Sequence, residues 1–93
     1  MHTAATALAL TGSDQQAVTG PGTFRGLTLN ETASSAAEVR VYDGTDATGT
    51  LLASVALTAD GSADLDLPAG RRFATGLWVD IVAGTVVGSV FLG

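Results

Sequence analysis

Leu77-Trp78-Val79-Asp80-Ile81-Val82-Ala83-Gly84-Thr85-Val86-Val87-Gly88-Ser89-Val90-Phe91-Leu92-Gly93 carries the strongest β signal in the sequence. Two β-rich runs, residues 77–83 and 86–92, flank Gly84-Thr85, a spacing that reads as a β-hairpin with a two-residue turn. A strand with one wet face alternates apolar and polar residues. Here the alternation is incomplete. Leu77, Val79, Ile81 and Ala83 share one face, yet Trp78 and Val82 share the other with Asp80. In the second run Val86, Val90 and Leu92 fall on one face with Gly88, while Val87 and Phe91 fall on the other with Ser89. Such a hairpin needs cover on both faces, from its own sandwich on one side and from another subunit on the other. A central hairpin buried within one subunit gives the same pattern.

Working outward, turn residues recur about every ten positions: Gly12-Ser13-Asp14, Gly20-Pro21-Gly22, Asp43-Gly44, Asp60-Gly61, Pro68-Ala69-Gly70, Gly76 and Gly84. Regular punctuation of this kind points to a sandwich or barrel of short antiparallel strands. Strands are expected at 4–10, 16–18, 23–31, 37–42, 50–58, 63–67, 77–83 and 86–92, the second of them weak. Leu27 and Leu29 share a face, as do Val39 and Val41, Leu51, Ala53, Val55 and Leu57, and Leu65 and Leu67. Period two therefore fits better than 3.6. The Thr32-Ala33-Ser34-Ser35-Ala36 stretch reads as a loop. The expected fold is all-β: one antiparallel β-sandwich domain over residues 1–93, with residues 1–3 as a flexible end. Jelly-roll and immunoglobulin-like topologies both remain open.

Composition limits the function. The 93 residues are 46% hydrophobic and only 14% charged, against a usual charged share of about a quarter. The surface must then be built largely of Thr, Ser, Ala and Gly, which do little to keep subunits apart. Net charge is -5 and the four cations are Arg25, Arg40, Arg71 and Arg72. This balance speaks against nucleic acid, which calls for a basic stripe, and against a membrane-surface helix. The absence of cysteine removes disulfides and thiolate chemistry, so stability must come from packing or oligomerisation. The Thr-interrupted N-terminal run lacks a basic n-region and reads as a first strand rather than a signal peptide. No stretch approaches the ~20 apolar residues of a membrane span. A soluble chain acting where it is made is expected.

Catalytic candidates are weak. His2, the only histidine, lies beside the start methionine, where termini are usually mobile, and a Ser-His-Asp arrangement would need it held rigidly. Asp64 and Asp66 point to the same strand face about 7 Å apart, a spacing that resembles a carboxylate pair. A solvated face with Arg71 and Arg72 as ion-pair partners explains them more simply. Asp43-Gly44-Thr45-Asp46 offers oxygen ligands for calcium, yet a turn built from Asp and Gly accounts for the same residues. Asn30-Glu31-Thr32 matches the N-glycosylation triplet, a chance match without a secretory signal. Trp78 and Tyr42 could form a small carbohydrate platform, against which Trp78 lies in an apolar run suited to a core or an interface. No cofactor or metal is expected.

From Pro21 to Phe91 a further pattern runs through Gly22-x-x-x-Gly26-Leu27, Val39-Arg40-Val41-Tyr42-Asp43-Gly44, Gly49-x-Leu51-Leu52 and Pro68-x-Gly70. It continues through Gly76-Leu77-Trp78-Val79-Asp80 and Gly84-Thr85-Val86-x-Gly88-Ser89-Val90-Phe91. In this the chain resembles small all-β virion structural proteins of tailed bacteriophages, the head-decoration and minor capsid proteins. The resemblance implies a non-enzymatic protein on the capsid exterior, made in the bacterial host cytoplasm. It further implies a homo-oligomer, a trimer at threefold or quasi-threefold positions, that binds the major capsid protein and bridges capsid subunits. The motifs are turn glycines, an exposed arginine and an apolar hairpin, and they bring no catalytic residues with them.

On this reading Trp78, Val87 and Phe91 are the candidate interface anchors, since aromatic residues dominate interface energetics. Arg25, Arg40, Arg71 and Arg72 are candidates for contacts to acidic capsid surface. The alternative is a tail- or fibre-associated β module that binds host-surface glycan through Tyr42 and the 43–49 loop. A small enzyme built on Asp64 and Asp66 is the third reading, disfavoured by the missing acid/base partners.

Overall fold

The computed structural model describes residues 6–93. His2, the 1–3 end and the first two residues of the expected 4–10 strand lie outside the described residues. Eight strands follow: β1 (Thr6–Ala9), β2 (Gln15–Thr19), β3 (Gly22–Glu31), β4 (Ala37–Asp43), β5 (Thr50–Leu57), β6 (Ser62–Phe73), β7 (Gly76–Ala83) and β8 (Val86–Leu92). No helix occurs among the described residues, and the Ser-rich stretch between β3 and β4 is a loop as expected. Even the weakest expected strand is present, as β2.

The strands form two four-stranded antiparallel sheets, ordered β1-β8-β3-β6 and β2-β7-β4-β5. One rule generates both: β1 pairs with β8, β2 with β7, β3 with β6 and β4 with β5. This is a long hairpin folded at the β4–β5 turn and rolled until β3 meets β8 and β4 meets β7. Eight strands wound this way make a jelly roll. The structure thereby decides between the two topologies that period-two patterning left open.

The same topology corrects the hairpin expected at 77–93. β7 and β8 do not pair; they lie in different sheets. Gly84-Thr85 is an arch that carries the chain across the sandwich. Leu77 and Val79 on β7, and Val86 and Val90 on β8, are all essentially excluded from solvent. They face one another through the core instead of lying side by side. Gly84 takes φ 82°, and a Cβ there would stand 2.6 Å from Ala37 Cβ and 2.7 Å from the Ala36 carbonyl oxygen. The arch can therefore turn against the β3–β4 loop only with glycine at this position.

Between the sheets lie Phe24, Leu27, Leu29, Val39, Val41, Phe73 and the four residues just named, with β-branched and aromatic side chains supplying most of the volume. Truncating a fully buried phenylalanine such as Phe24 costs about 3–5 kcal/mol by transfer and cavity terms. β6 is longer than the 63–67 segment expected from sequence. Its register against β3 jumps from Asp66↔Gly26 to Arg71↔Phe24. The Pro68-Ala69-Gly70 turn thus bulges out of the sheet edge, and the strand resumes beyond it.

At one end of the roll three connections cross between the sheets: residues 32–36, residues 58–61 and the Gly84-Thr85 arch. Glu31 ends β3 there on the inward side, 1% exposed. Its carboxylate accepts backbone N–H groups from Ala33 at 2.8 Å and Ser35 at 3.0 Å in the first connection, and from Asp60 at 3.1 Å in the second. The backbone of Thr85 adds to the set, and Thr32 N–H closes on the Thr85 carbonyl at 3.0 Å. Burial pushes the Glu31 carboxyl up, but the convergent N–H groups outweigh it and hold the group below its usual range. One carboxylate ties all three crossings.

Candidate interaction surfaces

Alternation along the strands assigns every side chain to the core or to one of two outer faces. Leu77 and Val79 point inward, so Trp78 projects from the outer face of the β2-β7-β4-β5 sheet. Val86 and Val90 point inward, so Val87 and Phe91 project from the outer face of the other sheet. The three expected anchors therefore lie on opposite sides of the sandwich. No single contact brings them together.

Trp78 stands opposite Tyr42 on β4 and Gln16 on β2. Cross-strand aromatic pairs of this kind stabilise a sheet locally. Tyr42 is only 9% exposed, which leaves little ring face for a sugar. The Trp78 indole Nε1 is buried with no hydrogen-bond partner. Gln16 instead spends its amide on the carbonyls of Val18, Gly44 and Leu77 at 2.7, 3.0 and 3.2 Å, joining β2, β7 and the β4–β5 loop.

In the next row of that face Asp80 pairs in register with Arg40. Arg40 bonds Glu38 at 2.6 Å, the one ion pair among the described residues. The Tyr42 side chain and Glu38 together hold its guanidinium above its usual range. Asp80 is pushed up, first by burial and then by the neighbouring Asp14 carboxylate, with Arg40 opposing. Asp14 also accepts the Ile81 N–H at 2.7 Å. The face is polar, but its charges are engaged with one another.

That face also exposes Leu51 and Val82, at 52% and 44%, so exposed apolar side chains occur on both outer faces; the β1-β8-β3-β6 sheet differs in keeping its charges to one side. Val87 is 51% exposed and sits beside Asn30, while Phe91 sits between Ala7 and Gly26. Charge is confined to the β6 side. Asp64 and Asp66 are exposed there, Asp64 accepting a hydrogen bond from the Thr28 hydroxyl. Arg72 is exposed farther along β6, and Arg25, in the β3 bulge, donates to the Pro68 carbonyl at 2.5 Å. Arg71 points the other way and donates to the Leu52 carbonyl of β5, closing the open side of the sandwich. Neither Arg71 nor Arg72 forms an ion pair with Asp64 or Asp66.

The Asp43–Asp46 segment, weighed as a calcium loop and read as a turn, is used by the fold. Asp43 accepts the N–H groups of Ala74 at 3.0 Å and Thr75 at 2.9 Å, and these bonds hold its carboxyl below the usual range. Asp46 caps Thr48 at 2.9 Å. Among the described residues no three His, Cys, Asp or Glu side chains gather as a metal site. A shallow depression of about 280 Å³ is lined by Pro21, Gly22, Thr23 and Arg72, with one charged group.

Three polar residues that sequence reasoning passed over prove structurally central: Glu31, Gln16 and Asp14. Only Glu31 left a signal, as a carboxylate at the inward position of the Leu27, Leu29, Glu31 alternation. Comparison with protein-family models, with curated proteins and with solved structures returned no match.

Proposed function

We propose that the chain is a non-enzymatic structural protein of a tailed-phage virion, a capsid decoration or minor capsid protein. It self-associates, binds the outer capsid surface and bridges capsid subunits. The observation that carries this reading is the charge-free outward strip of β1 and β8, Ala7, Ala9, Val87, Ser89 and Phe91, with Val87 51% exposed. Depletion of charge with an aromatic side chain present is the composition found at the centre of interfaces. The polar side chains support the reading by their employment: Glu31, Asp43 and Gln16 spend their polar atoms on backbone groups that hold connections together. Jelly rolls serve in viral capsids, and equally in lectins and cupins, so the fold enters only as analogy.

The test is direct. Virions from the producing host should contain the chain in many copies, and electron microscopy should place it on the capsid exterior. Particles that lack the chain, or that carry it only on the tail, would overturn the proposal.

A further inference from the structure

We infer that the outer edge of β5 takes an extended carboxy-terminal tail of another protein as an added antiparallel strand, with the tail's terminal carboxylate at Arg71. β5 ends its sheet and pairs only with β4. The neighbouring ladder decides which way its main-chain groups point. Gly44 N–H bonds the Gly76 carbonyl at 3.1 Å, in line with the β4–β7 register of Tyr42↔Trp78 and Arg40↔Asp80. Even-numbered residues there turn their main chain to β7, so Val39 and Val41 turn theirs to Val55 and Ala53 of β5. The N–H and C=O groups of Ser54 and Ala56 therefore face out from the sheet edge, and both residues are exposed. The Leu52 carbonyl lies at the same edge and is taken by Arg71.

The other terminal strands are poorer templates. β1 spans four residues, β2 is interrupted by a bulge, and β6 carries Pro68, a bulge and two aspartates. β5 has eight residues with neither charge nor proline, and its own bulge at Leu52 leaves residues 53–57 regular. Its inward Val55, and the inward Leu65 and Leu67 of β6 across the rim, are only partly buried. An added strand lays every second side chain over them. The occupant is thus apolar at its inward positions and polar at its outward ones.

Charge selects its end and its size. Arg71 has no ionic partner among the described residues. An antiparallel strand runs from the Leu57 end of β5 toward Leu52, and so delivers its carboxy terminus to the Arg71 guanidinium. Main-chain pairing joined to capture of a terminal carboxylate combines two general modes of peptide recognition. A second copy of the sandwich suits the edge less well. Paired there about a two-fold axis, it would bring its own β6 beside this one, and Asp64 and Asp66 would oppose their counterparts. A tail brings one strand and no second sheet.

A hexapeptide alternating valine and threonine, with a free carboxylate, is the probe. In an NMR titration of the full chain, the Ser54 and Ala56 amides should shift and become protected from hydrogen exchange. Ser54→Pro removes one outward N–H without touching the β4 ladder. It should weaken binding by about tenfold while circular dichroism stays unchanged, and Ala56→Pro serves the same purpose if Ser54→Pro fails to fold. Arg71→Gln keeps a donor for the Leu52 carbonyl but removes the charge, and should abolish the wild type's preference for the free acid over the amidated peptide. No shift at millimolar peptide, shifts confined to another surface, or undiminished binding by the proline variants overturns the proposal. Equal affinity of acid and amide in the wild type overturns it as well. A wild-type dimer that Ser54→Pro converts to a monomer would assign the edge to a second copy instead.

Discussion

Glu31 Oε1 accepts the Asp60 backbone N–H at 3.1 Å, and this bond joins the end of β3 to the connection between β5 and β6. Asp60 takes φ 55° and Ser34 φ 56°, a left-handed conformation uncommon for residues other than glycine. The Ser34 hydroxyl donates to the Asp60 carboxylate at 3.1 Å. Two unusual turns are thus held against each other with Glu31 beneath them. Glu31→Gln replaces one acceptor oxygen with a donor amide that faces backbone N–H groups, leaving buried donors unpaired. The midpoint of thermal unfolding should fall by about 10 °C or more, read by circular dichroism. A variant that melts like the wild type would remove Glu31 from its central place.

Acid should act on the same residues. Glu31 and Asp43 both titrate below their ordinary values of 4.5 and 3.8. The folded state therefore binds fewer protons than the unfolded one in this range. Their contribution is present above the ordinary values and is lost as pH falls through the depressed ones. Melting temperature should drop progressively below about pH 4.5, and Glu31→Gln should flatten that slope. An unchanged slope in the variant would assign acid sensitivity to other carboxylates.

Asp80 has the opposite sign. Its carboxyl is raised by burial and by Asp14, so its contribution is fully present below the ordinary value of 3.8 and is lost as pH rises through the raised one. Asp80→Asn removes the repulsion and keeps a donor toward Asp14. The variant should melt higher than the wild type at pH 7, with the difference closing in acid. A lower melting point at pH 7 would mean that attraction between Asp80 and Arg40 outweighs the Asp14 repulsion.

The arch between β7 and β8 can be checked chemically. Thr28 and Ser89 are direct partners on adjacent strands, so paired cysteines there should oxidise within one chain. Val82 and Val87 would be partners in a hairpin but project from opposite faces of the sandwich. Cysteines at those two positions should give no intramolecular bond. Mass spectrometry under non-reducing conditions reads both variants, and the reverse pattern would restore the hairpin.

Strand positions were legible because apolar residues recur with period two at Leu27 and Leu29, Val39 and Val41, and Ala53 and Leu57. Connectivity across 84–85 was not. A hairpin and an arch bury the same residues of β7 and β8, and differ only in whether those residues lie beside or across from one another. That difference separated Trp78 from Val87 and Phe91, which sequence had grouped. The partners of Glu31 were equally hidden, since Asp60 and Thr85 approach it only after the roll closes. Arg71 looked like a surface cation because nothing local shows that the closed roll brings the Leu52 carbonyl of β5 to it.

Sedimentation of the wild-type chain across low to high micromolar concentration tests the central claim most directly. A species of two or more times the 9.2 kDa subunit mass is the predicted result. A single 9.2 kDa species at every concentration would contradict the account.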